Sequence, residues 1–303
     1  MKKSVLPVMS IVVLILLLSH PSLSLEGARN GLLLWYQTVV PTLLPFMICS
    51  NVIVSLNGIR LMIAPVRPLL NKVFGLSDPG CYVLITGLLC GYPMGAKTCS
   101  EFVEQGMLSP GEGKYLLSVS NHPSPMFLLG FTASLMDPSI PVSILLAAVY
   151  LPVIPLSFLS RAFYGTDGPS GFRVQKTQPH RSFDESMMAS FEVMIKIGGY
   201  IMLFSILSCF IGRLSFLPAS VRALVLGAVE ITTGIQAVAR AFLGPAQGLF
   251  LCAGAVFGGL CGLFQTKSVL RPPLSLTHYA LWKLLHAGLS AAVFSLLASS
   301  LLP

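Results

Sequence analysis

The apolar runs of this chain are interrupted from within. From Tyr82 the sequence is apolar as far as Leu89. Then Gly91-Tyr92-Pro93-Met94-Gly95-Ala96-Lys97 sets two glycines and a proline within five residues, with a lysine soon after. In a water-soluble protein this would be an ordinary turn. Here both flanks are hydrophobic enough for a bilayer, where lipid offers no partner to N–H and C=O groups freed by a break. Such a break survives at membrane depth only where protein or a water-filled cavity covers it. Carriers build solute sites from broken helices of this kind. Two readings stand side by side: a re-entrant hairpin whose tip, Gly91–Lys97, lines a site, or a loop between short spans that happens to hold Gly and Pro.

Composition settles the class. Of 303 residues, 54% are hydrophobic and 10% charged, with a mean hydropathy of +0.81. Soluble domains carry about 25% charged residues, so this chain lacks the charge to coat a soluble surface. The expectation is an all-α, polytopic membrane protein whose first partner is the lipid bilayer. The net charge of +8 does not imply nucleic acid, because Lys and Arg lie in the short connections, where the positive-inside rule puts them. The seven cysteines, Cys49, Cys81, Cys90, Cys99, Cys209, Cys252 and Cys261, sit in apolar segments without metal-ligand spacing. They read as buried thiols, and neither metal nor cofactor is expected.

Residues 1–25 read as a signal peptide or a short first transmembrane helix: Lys2-Lys3 precedes an apolar run from Val5 to Leu18, and Ser22-Leu23-Ser24 could be cut. Either way Glu26–Asn30 falls outside. Residues 26–160 form a first membrane repeat. Its opening span, Gly31 to Leu56, carries Trp35 and Tyr36 for the outer interface, and Arg60, Arg67 and Lys72 put the next connection in the cytoplasm. The hairpin candidate follows. Its first arm, Cys81–Leu89, is too short to cross a core that needs about 20 helical residues. Its second arm, starting at Ala96, places Lys97 and Glu101 on one helix face, where they can pair.

The next span, Gly113 to Met136, is broken at Asn121-His122-Pro123-Ser124-Pro125. Each proline removes a donor and disturbs the preceding turn, leaving polar groups at depth. The plainer alternative is a proline kink. Asp137-Pro138 turns the chain outside, and Ile140–Leu159 returns it. Residues 161–185, with Arg161, Arg173, Lys176 and Arg181, read as a cytoplasmic linker dividing the chain.

Residues 186–303 read as a second repeat, starting with the span Phe191–Ile211. Val221–Leu243 is interrupted by Glu230-Ile231-Thr232-Thr233-Gly234-Ile235-Gln236, a hairpin candidate entering from outside. A glutamate deep in an apolar segment is a functional candidate, though it can also be bonded for structure alone. Gln247–Gln265 weakens at Gly258-Gly259-Leu260-Cys261-Gly262, for which close helix packing is the competing account. Leu276–Leu302 closes the chain, and His286 within it reads as a packing residue. Charge placement sets the first hairpin on the inner side and the second on the outer. That is an inverted-topology repeat, with its site at the midplane, where two hairpin tips and two broken helices meet.

On the segments Gly91–Lys97, Ser120–Phe127 and Glu230–Ala237, the chain resembles the YlbJ-like sporulation integral membrane proteins of the nucleoside-recognition, or Gate, group, from roughly Ala28 onward. The resemblance implies a fold similar to concentrative nucleoside transporters, a membrane role in endospore-forming bacteria, and movement of a small anionic solute such as dipicolinate. The expected function is a transporter or permeation protein. Gly91, Tyr92, Pro93, Gly95 and Lys97 would form one wall of the site, with polar contacts from Asn121, Ser124, Thr232, Thr233 and Gln236. Opposed helix N-termini and Lys97 suit an anion, and Glu230 would take a coupling cation or a proton. The competing class is a non-transporting structural or assembly component, working as a homo-oligomer or beside a second Gate protein. An enzyme is not expected: there is no HExxH, and Ser120 or Ser124 near His122 is too little for a hydrolase.

Overall fold

The computed structural model describes residues 2–56, 58–165 and 182–301. These are all-helical, without a strand. Among the described residues, five helical stretches are long and apolar enough to cross a membrane: Pro21–Ser55, Val142–Tyr164, Phe183–Gly212, Gly244–Val269 and Leu276–Ser300. The chain is a multi-pass helical membrane protein.

Helix α1 (Lys2–Ser19) is followed by α2 (Pro21–Leu34), which runs through a π-helical turn (Trp35–Val39) into α3 (Val40–Ser55). This stretch is 35 residues long, more than the roughly 20 a bilayer core requires. Glu26–Asn30 therefore lies inside α2, not in an external loop. Short helices α4 (Ile59–Ile63) and α5 (Arg67–Phe74) lead to the first hairpin, α6 (Asp78–Cys90) and α7 (Met94–Glu104). Ser77 caps α6 by accepting from the Gly80 N–H. The second arm starts at Met94, two residues before the expected Ala96.

The first broken span follows. Helix α8 (Pro110–Val119) stops, residues 120–124 are irregular, and α9 (Pro125–Phe127), a π turn and α10 (Ala133–Leu135) complete it. The Ser124 hydroxyl restarts the helix by accepting from the Phe127 N–H. Helices α11 (Val142–Tyr150) and α12 (Val153–Tyr164) form the next crossing. Helix α12 extends past Arg161, and α13 (Phe183–Gly212) begins before Glu185, under a capping box of Ser182 and Glu185. Helices thus take both ends of the expected linker, and its remainder, 166–181, lies outside the described residues. The expected span from Phe191 starts eight residues earlier, at Phe183, because the capping box nucleates it there.

Helices α14 (Ala219–Val229) and α15 (Ile231–Ala241) form the second hairpin. Helices α16 (Gly244–Phe257) and α17 (Gly259–Val269) form the second broken span, parted at Gly258, and α18 (Leu276–Leu301) ends the described chain. Helix α2 packs closely on α13, since a Cβ at Gly27 would stand 2.6 Å from the Ile206 Cα. Trp35 donates its indole N–H to the Met194 carbonyl at 3.0 Å along the same seam. The apolar core is divided. One cluster joins α6, α7 and α8 to α12, a second joins α11, α15, α16 and α18, and a third seats α3 and α13 on the first hairpin tip.

Groups that the charge reading assigns to one side of the membrane lie together. Arg67 pairs with Asp78 at 2.6 Å, and Arg271 pairs with Glu104. At the opposite end Arg213 meets Glu26 at 3.5 Å. There Asp137 accepts from the Ser139 N–H, the Ser139 hydroxyl and the Gly244 N–H. These donors, the Ser139 N–H first, hold the Asp137 carboxyl below its usual range.

Candidate functional site

A broken helix at membrane depth poses an accounting question about its freed carbonyls. In the first broken span the answer can be read bond by bond. The Asn121 carbonyl accepts from the Lys283 ammonium of α18 at 2.6 Å. The Pro123 carbonyl accepts from the Tyr150 hydroxyl of α11 at 2.9 Å. The Val119 carbonyl is met by His122 Nε2. The Asn121 side chain ties four elements together. Its Oδ1 accepts from the Ala96 N–H at 3.3 Å, and its Nδ2 donates to Thr266 Oγ1 at 3.2 Å and to the Tyr279 hydroxyl at 2.7 Å. The break is covered by protein, and the proline-kink alternative is too small for it.

The first hairpin tip docks on this break. Gly91 has φ +80°, and a Cβ there would stand 2.9 Å from the Ser124 nitrogen. Next to it Tyr92 crosses the molecule, its hydroxyl donating to the Ala255 carbonyl of α16 at 3.3 Å. A side chain at Gly258, in the second break, would meet the Tyr92 ring at 3.4 Å. The second hairpin tip is capped by Glu230, 1% exposed. Its carboxylate accepts from the Thr232 N–H at 3.1 Å, the Thr233 N–H at 2.8 Å and the Thr232 hydroxyl at 2.5 Å. This is an N-cap in which the charge also meets the positive end of the α15 dipole.

Both tips and both broken spans meet at a crevice lined by Gly91, Tyr92, Ser124, Glu230, Thr232 and Gln265. Its volume is about 70 Å³. A water occupies about 30 Å³ of liquid, so the crevice holds two or so. A far larger vestibule of about 680 Å³ adjoins it, with Thr232 on the wall of both. Thr233, Gln236 and Arg240 of the second hairpin line the vestibule, with Asn30 and Gln37 from the first span and Ser208 from α13.

The residues singled out from sequence therefore separate. Gly91, Tyr92, Ser124, Glu230 and Thr232 border the crevice, and Thr232, Thr233 and Gln236 border the vestibule. Pro93 is buried behind the tip. Gly95 and Asn121 are packing and bonding elements of the joint between hairpin and break. Lys97 turns away to Glu101, Nζ to Oε1 at 2.8 Å, the local pair allowed by their spacing. Sequence reasoning missed Lys283, 1% exposed in the first third of α18. An ionisable residue inside an apolar span was the signal available for it. The pair Arg240 and Ser208 was also missed, and the helix contacts that bring them to one cavity are not local in sequence.

The chain is 28% identical over 212 residues to the sporulation integral membrane protein YlbJ of Bacillus subtilis (strain 168). The matched region is 62% of this chain and 52% of the relative, so the chain spans about half the relative's length. This likeness supports grouping the chain with the YlbJ-like proteins. No family model matches the sequence, and no solved structure matches it.

Proposed function

We propose that the chain is a membrane carrier or permeation protein for a small anionic solute. The observation that carries this reading is the crevice where both hairpin tips and both broken spans converge beside a polar vestibule. The element order supports an inverted repeat of the kind found in carriers: a long span, a hairpin, a broken span and a closing span, then the same series again. It is compatible with a fold like that of concentrative nucleoside transporters. Lys/Arg placement favours an outer-side vestibule. Arg240 on its wall favours anions, whereas Arg213 there is paired with Glu26 and the α15 N-terminus is taken by Glu230. At about 70 Å³ the crevice holds a few waters and not an organic anion, so passage of one requires the hairpins to part. The similarity to YlbJ makes a role in sporulation the natural setting.

Dipicolinate is the probe anion for the test. Vesicles containing the purified chain alone are expected to show saturable uptake that empty vesicles lack. Equal flux in both would reject the carrier reading and favour an assembly component.

A further inference from the structure

The carrier reading leaves the coupling ion open, and the buried cluster around Lys283 bears on it. Lys283 is 1% exposed and forms no ion pair among the described residues. An ammonium has three N–H donors. One is spent on the Asn121 carbonyl at 2.6 Å, and the head lies 5.9 Å over the Tyr92 ring. A charge at this depth without a carboxylate is costly, and such residues mark ion or proton pathways.

Two imidazoles complete the cluster. The rings of His122 and His286 meet edge to face with centroids 4.9 Å apart. Lys283 lies within electrostatic reach of both. His286 Nε2 sits 2.9 Å from the Val149 carbonyl, and His122 Nε2 faces the Val119 carbonyl. A carbonyl only accepts, so each Nε2 carries the hydrogen and each Nδ1 presents a lone pair. Both Nδ1 atoms are buried and find no hydrogen-bond partner among the described residues. The cluster thus sets an ammonium with N–H groups to spare beside two bare proton acceptors.

We propose that Lys283, His122 and His286 form a buried proton-binding centre, and that the carrier couples to a proton instead of an alkali cation. When the Lys283 head turns from the Asn121 carbonyl toward a bare Nδ1, one N–H proton passes to that nitrogen, giving a neutral amine and an imidazolium, and returns by the reverse step. The positions open to a mobile cation are already filled. Lys283 and Tyr150 hold the freed carbonyls of the break, and three donors surround the Glu230 carboxylate. Of the other titratable groups, Tyr92 on the first hairpin lies under the Lys283 ammonium, and Tyr279 on α18, Glu230, Cys261 on α17 and Tyr150 on α11 act in turn on Tyr92. Proton binding stands on the cluster alone, whereas coupling rests on the carrier reading.

Melting temperature of the purified full chain, followed against pH in sodium and in choline buffers, tests the proton centre without any solute. The wild-type profile should contain a step that Lys283→Met removes and that is the same in both salts. Superimposable wild-type and Lys283→Met profiles overturn the proposal, as does sodium shifting the wild type as far as pH does. If Lys283→Met does not accumulate, His286→Gln decides: it keeps Lys283 and a donor for Val149 but has no titratable nitrogen, and an unmoved profile is equally fatal. In vesicles with the membrane potential clamped to zero, a one-proton carrier accumulates dipicolinate about tenfold per pH unit of gradient. Flux indifferent to the gradient overturns the coupling. No flux, with the pH step intact, counts against the carrier reading and the coupling but supports the proton centre.

Discussion

In the first hairpin the close-approach glycines press on the neighbouring broken span, whereas in the second they press on each other. A Cβ at Gly87 would stand 1.7 Å from the Ser120 carbonyl oxygen, and one at Gly95 would stand 2.1 Å from the same atom. In the second hairpin a Cβ at Gly234 would stand 2.1 Å from the Gly227 Cα of the opposite arm. Its contact with the second break is looser, a Cβ at Gly259 meeting the Val229 carbonyl at 3.1 Å. The polar bonds follow the same division. Asn121 and Lys283 tie the first hairpin's surroundings to α17 and α18, while Glu230 bonds only within its own hairpin tip. The first tip is thus held by its neighbours and the second tip by its own bonds, while the far end of α15 is fixed to α16 by Gln247, whose amide donates to the Ala239 carbonyl at 2.9 Å. The tip with the fewer outside bonds is the one that borders the vestibule.

The largest expected effect comes from filling the first joint. Gly87→Val or Gly95→Leu would force backbone against backbone, which no rotamer change relieves. Each should destabilise by about 4 kcal/mol or more and abolish accumulation of folded protein. Gly95→Leu is thus a folding defect and not a blocked site, because the added side chain would run into the Ser120 backbone. At Gly259, with φ +68°, alanine meets looser contacts and mainly left-handed strain, about 1–2 kcal/mol. Thermal melting of the detergent-purified variants ranks them. A Gly259→Ala defect as large as that of Gly87→Val would erase the distinction between the hairpins.

How far this was legible in the sequence depends on range. The breaks were legible because proline and glycine act on their own turn: Pro123 and Pro125 end α8 wherever it packs, and Gly91 turns the first tip. The pairing of Lys97 with Glu101 was legible for the same reason. Gly87 was not, since nothing in an apolar arm marks one glycine as the point where another backbone arrives. Lys283 was open to notice as a charge in an apolar span, but its partner is a carbonyl 162 residues away in sequence. Likewise the vestibule is built from helices of both halves and has no local signature.

A middle-sized effect separates the polar attachments. Asn121→Leu keeps the volume but strands the Ala96 N–H and removes a donor from Thr266 and from Tyr279, at about 3 kcal/mol. Glu230→Gln keeps one acceptor and loses part of a cap, about 1–2 kcal/mol. Melting temperatures should therefore fall further for Asn121→Leu. The reverse order would mean that the second tip is the more firmly bound of the two.

The smallest effect is expected at Lys97, and it sharpens the comparison most. Lys97 is buried, but its partner Glu101 is about one-third exposed, 35% by side chain, so solvent screens the pair. Lys97→Gln should then cost about 1 kcal/mol or less. Glutamine can still reach Glu101, and the joint of Gly87, Gly95 and Ser120 is untouched. If the first hairpin is a fixed wall held by its neighbours, this variant melts close to wild type and passes dipicolinate at the wild-type rate. A variant that melts normally yet loses flux would show that the Lys97 ammonium leaves Glu101 for the solute. That would require α7 to move during the cycle, and the first hairpin would then be a working gate and not the anchor its contacts describe.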